Sequence, residues 1–318
     1  MVTVHDMHQA RARIAPRLHV TPLIGSATIA DRAGAARFAL KCESLQKTGS
    51  FKVRGVLNKL SQLSDEARAR GVVTVSAGNH AQAMAWGARA AGVQCTVVMP
   101  ANASKTKVAA SIGYGATVIQ HGTGADAFRR ALELAESEGF TFVHPFDDDH
   151  VIAGAGTTGL ELFDQGSPPD IVVVPIGGGG LISGVAIAVK ETHPATRVIG
   201  VEPVGANVMR QSLDAGHAMR MESMQTIADG LAAPFAGERN FAVVQRYVDD
   251  VVLVTDDEIV EAMKTLLSRC KLLAEPAGAA ATAAVLSGKI PLRGTEHVVA
   301  LLSGGNVDLE RVAQLMGA

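Results

Sequence analysis

The sequence has few aromatic residues and little net charge. Phe, Trp and Tyr make up 4% of its 318 residues, and the formal net charge at pH 7 is −2. Proteins that bind single-stranded nucleic acid combine aromatic stacking platforms with positively charged grooves. A strongly basic face is also typical of nucleic-acid or anionic-membrane binding. The composition therefore favours neither nucleic acid nor a membrane surface as a partner.

Cysteine is also scarce. Cys42, Cys95 and Cys270 lie far apart in the sequence, with no C-x-x-C pair and no histidine doublet near them. Disulfides belong to oxidising compartments, and metal sites need clustered ligands. We therefore expect three reduced, buried thiols that act as small apolar side chains in a cytoplasmic protein. The first residues contain no apolar stretch typical of a secretory signal, so none is expected.

Charge is absent from one long segment, residues 171–189, with the sequence IVVVPIGGGGLISGVAIAV. Its length would allow a membrane span. Pro175 and four consecutive glycines interrupt any continuous helix, however. We predict a buried strand, a glycine loop and a buried helix instead.

Strand-like and helix-like segments alternate along the chain. Residues 71–147 form a βαβαβαβ pattern, and β-rich segments begin again near residues 170, 196, 248 and 296. This alternation predicts an α/β fold with a mostly parallel sheet covered by helices on both faces. Several strands end in Gly or Ser, and ligands bind at the carboxyl edge of open α/β sheets.

Four consecutive glycines, Gly177 to Gly180, stand between the predicted strand and the predicted helix. Backbone amides without Cβ atoms can surround a phosphate group, and a helix N-terminus adds positive potential. The alternative is a tight turn, for which one or two glycines would suffice. The run of four favours a phosphate cradle.

A G-x-G-x-x-G match occurs elsewhere, at Gly154, Gly156 and Gly159. Only a short apolar segment precedes it, and glycines stand where a dinucleotide site would need an acidic residue about twenty positions later. We interpret the match as chance or as a closely packed helix start. An NAD-dependent enzyme is the last of the alternatives.

Two lysines five positions apart, Lys47 and Lys52, lie in the segment QKTGSFKVR. The segment is typical either of an exposed helix start or of the anchor of a cofactor that bonds covalently to an amine. A phosphate cradle combined with an amine indicates pyridoxal phosphate. The residue types themselves do not separate the two lysines.

Six motifs then occur in order along nearly the whole chain: KTGSFKVRG, SAGNHAQ, PIGGGGLISG, VEP, KLLAEPAGAA and LLSGGNVDL. Together they resemble the fold type II pyridoxal-phosphate enzymes, in particular the threonine and serine dehydratases (ammonia-lyases) and the serine racemases. The resemblance implies a tryptophan-synthase-β-like α/β fold with two open, twisted, mostly parallel sheets. It implies a large cofactor-binding domain of residues 1–65 and 148–318, a small inserted domain of residues 66–147, and a homodimer. We expect the short form without a regulatory domain.

The resemblance also assigns roles to residues. Lys52 is implied to be the Schiff-base lysine that later removes the Cα proton, and Lys47 a bystander. The implied cofactor-binding residues are Phe51, Lys52, Asn79, Gly177, Gly178, Gly179, Gly180, Leu181, Glu275 and Ser303. Those implied to bind the amino-acid substrate are Ser76, Ala77, Gly78, Asn79 and His80.

Within this set, Asn79 is implied to bind the 3-hydroxyl group of the cofactor, and Ser303 its pyridine nitrogen. A hydroxyl cannot keep that nitrogen protonated as a carboxylate would, so elimination is favoured over transamination. The role of Glu275 stays open, and His80 is expected to have a supporting role.

Two positions depart from the relatives. Serine racemases typically carry a second serine after Ser76, whereas this chain has Ala77, which has no proton to give to Cα. The metal site of relatives uses the glutamate of VEP, a nearby carbonyl and a later aspartate. Here these positions are Glu202, Ala206 and Val208. A divalent-cation site would therefore lack one hard oxygen ligand, and a salt-bridged Glu202 is the alternative.

We predict a pyridoxal-phosphate-dependent carbon–oxygen lyase. It would eliminate water from L-threonine, L-serine or a bulkier 3-hydroxy amino acid, giving a 2-oxo acid and ammonia. The alternatives are a racemase of the same family and a non-catalytic relative that keeps the anion site. Residues 227–241 resemble the segment at the side-chain end of the site, where Phe235 would either line an apolar pocket or belong to the core.

Overall fold

The computed structural model describes residues 1–317, within which the strands form one six-stranded and one four-stranded sheet. The strands are β1 (Leu23–Gly25), β2 (Arg37–Cys42), β3 (Val72–Val75), β4 (Cys95–Met99), β5 (Thr117–Gln120), β6 (Thr141–Phe142), β7 (Ile171–Pro175), β8 (Arg197–Pro203), β9 (Asp250–Val254) and β10 (His297–Leu302).

The α-helices are α1 (Val4–Ile14), α2 (Ala27–Ala33), α3 (Lys52–Ser61), α4 (Asp65–Arg70), α5 (Asn79–Ala91), α6 (Lys105–Gly113), α7 (Gly124–Ser137), α8 (Asp149–Asp164), α9 (Gly180–Thr192), α10 (Val208–Ala215), α11 (Glu238–Tyr247), α12 (Asp256–Thr265), α13 (Pro276–Leu286) and α14 (Leu309–Met316). Short 3-10 turns occupy Ala15–Arg17, Glu43–Leu45, Lys47–Gly49 and Asp229–Leu231, and a π-helical turn occupies Leu266–Cys270.

The six-stranded sheet has the order β1-β2-β10-β7-β8-β9, and its pairs are parallel except β1 with β2. Its central strand β7 is buried on both faces because its side chains alternate between two apolar clusters. Ile171 and Val173 pack on the side of α12 and α13, whereas Val172 and Val174 pack on the side of α9 and α11. This is the continuous β-branched pattern of a doubly covered parallel strand.

The four-stranded sheet has the order β5-β4-β3-β6 and is parallel throughout. Its strands all fall between residues 72 and 142, so the predicted βαβαβαβ block and the predicted α/β fold of mostly parallel sheets are confirmed. Helix α5 packs on one face and α7 on the other. The division into residues 66–147 and the remainder stays a prediction, which the membership of the two sheets supports.

Helices α3, α8 and α9 meet backbone to backbone. A Cβ atom on Gly154 of α8 would lie 2.5 Å from the carbonyl oxygen of Arg54 in α3, and one on Gly184 of α9 would lie 2.5 Å from the amide nitrogen of Gly156. The G-x-G-x-x-G match therefore belongs to helix packing, as one interpretation held. It lies in the interior of α8, which begins at Asp149, so its expected position at a helix start was wrong.

A network of buried charges ties β2 to α3 and α8. Arg54 binds Glu43 through Nε at 2.7 Å and Glu161 through Nη1 at 2.7 Å, and Lys41 Nζ lies 2.5 Å from Glu161. Two positive and two negative groups balance, and Thr21 donates a further hydrogen bond to Glu43. Buried charges are tolerated in this way when they are paired and hydrogen-bonded.

The uncharged residues 171–189 divide into β7, the glycine loop and α9, as predicted. No described helix combines the length and the apolar character that a membrane crossing requires. The three cysteines are free thiols, and burial raises the pKa of both Cys42 and Cys95 to about 12. The expectation of three buried thiols was wrong for Cys270, which is half-exposed at the end of the π-helical turn.

Candidate active site

Lys52 is the first residue of α3 and follows a tight turn. Thr48 within this turn has φ 60°, a conformation that costs energy for a β-branched residue and is often found at functional sites. The amide of Phe51 then donates to the carbonyl oxygen of Ser303 at 3.1 Å, just beyond the end of β10. Two predicted site residues that lie far apart in the sequence, Lys52 and Ser303, are thereby brought to one place.

The amine of Lys52 points to the crossing segment, residues 143–148, which leads from β6 to α8. Lys52 Nζ donates to the carbonyl oxygen of Pro145 at 2.9 Å and lies 5.2 Å from the centre of the Phe51 ring. Burial lowers the pKa of Lys52 to about 8, against the opposing effect of Glu275. A substantial fraction of the amine is therefore uncharged at mildly alkaline pH, as a nucleophile or base requires.

Asn79, Glu275 and Asn306 form a chain of hydrogen bonds. Asn79 Nδ2 donates to Glu275 Oε1 at 2.6 Å, and Asn306 Nδ2 donates to Asn79 Oδ1 at 2.8 Å and to the Thr48 carbonyl oxygen at 2.7 Å. Burial raises the pKa of Glu275 to about 7. The chain joins the start of α5 to the turn before Lys52, and it gives Glu275, whose role was open, a defined partner.

The predicted substrate-binding residues, 76–80, follow β3 and include the first two residues of α5. Ser76 Oγ accepts the amide of Gly78 at 3.1 Å, and Ala77 is half-buried. His80 is buried with Nε2 3.0 Å from Thr74 Oγ1, while its Nδ1 has no hydrogen-bond partner among residues 1–317. Burial keeps the pKa of His80 well below its usual value, so the ring is neutral.

The glycine loop, Gly177–Gly180, connects β7 to α9. Gly179 has φ +99°, and a Cβ atom there would lie 2.6 Å from the Cβ of Asn240. Within residues 1–317, the four loop amides donate no hydrogen bond to the chain. Leu181 follows in the buried face of α9. A loop of free amides with no room for side chains fits the phosphate of pyridoxal phosphate. The desolvated amine of Lys52 fits its aldehyde carbon.

Five aromatic rings form a cluster, which we call the aromatic wall, and two of them flank Pro145, whose carbonyl oxygen binds Lys52. Their centroids are 4.6 Å apart for His144 and Phe146, 5.3 Å for Phe146 and Phe235, and 6.2 Å for Phe128 and Phe235. The fifth ring is Phe142, 5.6 Å from Phe128. Phe235 is thus half-buried in a cluster that lies beside the candidate site.

His144 within this wall is held in one tautomer. Its Nδ1 accepts the amide of Asp147 at 2.8 Å, and burial lowers the pKa of His144 to about 4. The imidazole is therefore neutral at pH 7, so none of the five rings is charged. The guanidinium of Arg220 lies over the Phe235 ring, 4.8 Å from its centre. Sequence reasoning missed the role of the crossing segment, including Pro145 and Phe146, although the predicted βαβαβαβ block of residues 71–147 ended in it.

Glu202 lies in β8, and Ala206 lies in the turn between β8 and α10. The buried carboxylate of Glu202 accepts the amides of Met209 and Arg210, each at 2.8 Å, and burial raises its pKa to about 8. The alternative of a salt-bridged Glu202 was wrong, since backbone amides bind both carboxyl oxygens. Val208 is apolar and buried, and residues 1–317 contain no cluster of three His, Cys, Asp or Glu side chains suited to a metal. This donor set does not fit a divalent cation.

Similarity to known proteins agrees with this geometry. A family model described as pyridoxal-phosphate dependent enzyme matches residues 14–304. An L-threonine ammonia-lyase from Thermotoga maritima is 44% identical over 99% of this chain and 78% of its own length. A solved threonine deaminase from T.th. is 43% identical with a TM-score of 0.91, covering 96% of this chain and 99% of that one.

A solved serine racemase from Dictyostelium discoideum is also similar, with 40% identity, a TM-score of 0.90, and coverage of 96% of this chain and 99% of that one. The chain is accordingly a carbon–oxygen lyase of the dehydratase or ammonia-lyase kind that uses pyridoxal phosphate. With a family model matching most of its length, the chain belongs to the pyridoxal-phosphate-dependent enzymes of fold type II.

Proposed function

We propose that this lyase acts on L-threonine in preference to L-serine. The observation that carries the proposal is the aromatic wall. Its ring Phe146 follows Pro145, whose carbonyl oxygen binds the Lys52 amine, and lies 5.3 Å from the ring of Phe235. Threonine differs from serine by a methyl group on Cβ, and an apolar wall favours that methyl. The names of the similar ammonia-lyase and deaminase support the same substrate.

Pyridoxal phosphate, when bound, supplies the electron sink that acidifies the Cα–H bond of the amino acid. Lys52 would hold it covalently, the glycine loop would bind its phosphate, and Ser303 and Asn79 would bind its ring. The displaced Lys52 amine would take the Cα proton, because burial keeps its pKa near 8 and the Pro145 carbonyl oxygen holds it in place. The free amides at the start of α5 would bind the substrate carboxylate.

Loss of hydroxide from Cβ completes the elimination. One water leaves, one is taken up when ammonia is released, and the 2-oxo acid remains. The neutral His144 and the aromatic rings exclude bulk water from the Cβ side of the site. Because Ser303 presents a hydroxyl where a carboxylate would stabilise a long-lived carbanion, elimination is favoured over transamination.

The test is ammonia release from L-threonine and L-serine, with the absorbance of the bound cofactor recorded alongside. We expect kcat/KM to favour threonine by about tenfold or more. Phe235→Ala should reduce that ratio, whereas Phe163→Ala, whose ring stacks on His193 elsewhere, should not. Equal kcat/KM values for the two substrates would contradict a role of the aromatic wall in substrate preference. Absence of ammonia release from both would contradict the proposed lyase reaction.

Racemisation is the second candidate, favoured by the similarity to serine racemase. Ala77 opposes it, since alanine offers no proton to the second face of Cα. Chiral analysis of serine after incubation decides between the two: D-serine forming as fast as ammonia would favour the racemase. A non-catalytic relative would instead give a colourless protein and no ammonia.

We also propose that the enzyme is a cytoplasmic homodimer. The three free, widely spaced cysteines support a reducing compartment. The dimer rests on the resemblance to relatives. Light scattering on the purified holoenzyme tests it, and a mass near 33 kDa, that of one chain, would contradict it.

A further inference from the structure

Asn240 lies directly beside the glycine loop. It is the third residue of α11 and is fully buried. Its side-chain nitrogen lies 3.0 Å from the carbonyl oxygen of Gly178 and 3.0 Å from that of Phe146. Carbonyl oxygens only accept hydrogen bonds, so the atom that faces both must be the amide nitrogen. One side chain therefore binds the glycine loop and the crossing segment together.

The bond to Gly178 determines how the loop presents its amides. The same carbonyl also accepts the amide of Gly237 at 3.3 Å. In a planar trans peptide, the C=O of one residue and the N–H of the next point in opposite directions. Holding the Gly178 carbonyl against α11 therefore turns the N–H of Gly179 away from α11, where it stays free for an anion.

The bond to Phe146 connects this arrangement to Lys52. Pro145, the neighbour of Phe146, supplies the carbonyl oxygen that binds Lys52 Nζ at 2.9 Å. Asn240 thus joins the two places where the cofactor would be held, at its phosphate and at its carbonyl carbon. A serine or threonine hydroxyl has one hydrogen and would serve only one of the two carbonyls.

The side-chain oxygen of Asn240 shows why this position requires an amide nitrogen. Asn240 Oδ1 is buried and has no hydrogen-bond partner among residues 1–317. A buried acceptor without a partner is destabilising. The side-chain oxygen of Asn240 therefore contributes no hydrogen bond to stability. The two hydrogen bonds donated by its amide nitrogen explain why an asparagine occupies this position.

We infer that Asn240 is a positioning residue for the cofactor phosphate: it orients the Gly179 amide toward the phosphate and keeps the glycine loop in register with the carbonyl that holds Lys52. This role would be exerted through the two carbonyl oxygens that Asn240 binds, those of Gly178 and Phe146. The inference rests on the proposed binding of phosphate by the glycine loop.

The experiment compares pyridoxal phosphate with pyridoxal, which lacks the phosphate, in titrations of cofactor-free enzyme followed by the absorbance of the lysine-bound cofactor. Asn240→Leu keeps a similar size and removes both donors without adding a charge, and Asn240→Ser leaves a smaller side chain with one donor. We expect each to lose about tenfold or more in affinity for pyridoxal phosphate and to keep its affinity for pyridoxal within about threefold. Inorganic phosphate should also compete less well in both variants.

Asn58→Leu is the matched control, because Asn58 is also buried and its amide donates to the His150 carbonyl at 2.8 Å, outside the glycine loop. It should keep the wild-type ratio of the two affinities. A wild-type enzyme that binds both compounds equally well would contradict phosphate binding by the loop. Unchanged ratios in both Asn240 variants, or equal losses for both compounds, would overturn the role of Asn240 and leave the loop proposal standing.

Discussion

The amine of Lys52 and the carbonyl oxygen of Pro145 lie 2.9 Å apart. This hydrogen bond joins the first residue of α3 to the crossing segment that connects the two sheets. Because a carbonyl accepts from both the charged and the neutral amine, it orients Lys52 without fixing its charge. The low polarity around the amine then determines its proton affinity.

Cofactor attachment should therefore depend on pH with a midpoint near 8. Only the neutral amine attacks an aldehyde, and burial lowers the pKa of Lys52 to about 8. The rate at which pyridoxal phosphate bonds to the cofactor-free enzyme should rise from about pH 6 and level off above the midpoint, as followed by stopped-flow absorbance. A midpoint near the ordinary lysine value of about 10 would mean that Lys52 is not desolvated.

Glu275→Gln should move that midpoint to lower pH. The carboxylate of Glu275 favours the charged form of Lys52, so its removal lowers the pKa of the amine further. Glutamine keeps an oxygen to accept the hydrogen bond of Asn79. The same stopped-flow titration measures the shift, and an upward shift would contradict the assignment.

Substitution of the two lysines in the segment QKTGSFKVR should have different effects on cofactor binding and on turnover. Lys52→Ala should lose the absorbance of the lysine-bound cofactor and at least about a thousandfold in kcat. Lys47→Ala should keep both, since Lys47 precedes α3 within the 3-10 turn. Spectra and ammonia release on the two purified variants decide the point, and full turnover by Lys52→Ala would exclude it as the reactive lysine.

The buried charge network should be costly to break. Arg54→Met leaves Glu43 and Glu161 without the cation that lies 2.7 Å from each. We expect the free energy of unfolding to fall by about 3–5 kcal/mol in urea titrations. Arg130→Met, which removes an exposed pair with Glu133, should cost less than about 1 kcal/mol. Similar losses for both variants would mean that the network contributes no more than a surface pair.

Chelators should leave the enzyme unchanged. Both oxygens of Glu202 bind helix amides and Val208 is apolar, so EDTA should alter neither activity nor the thermal midpoint. Val208→Asp restores the carboxylate found in relatives and should introduce a thermal midpoint that rises with Mg²⁺. Loss of activity of the unaltered enzyme in EDTA would contradict this interpretation of the site.

Sequence patterns predicted the strands rich in β-branched residues, such as β7 and β9, because such segments are typical of buried strands. They did not predict β2, whose buried Lys41 looks like a surface residue until Glu161 is placed 2.5 Å away. Likewise Pro145 and Asn240 act through long-range hydrogen bonds, to Lys52 and to Gly178. A partner 93 or 62 positions distant leaves no local signature.

The contact of α3, α8 and α9 through bare backbone has a consequence for the chemistry. Lys52 begins α3 and Gly180 begins α9, with α8 between the two helices. Side chains in an interface can change rotamer and yield, but main chains already touching at Gly154 and Gly184 cannot come closer. The distance from the reactive amine to the phosphate cradle thus has a lower limit, set by glycines in the interfaces between helices.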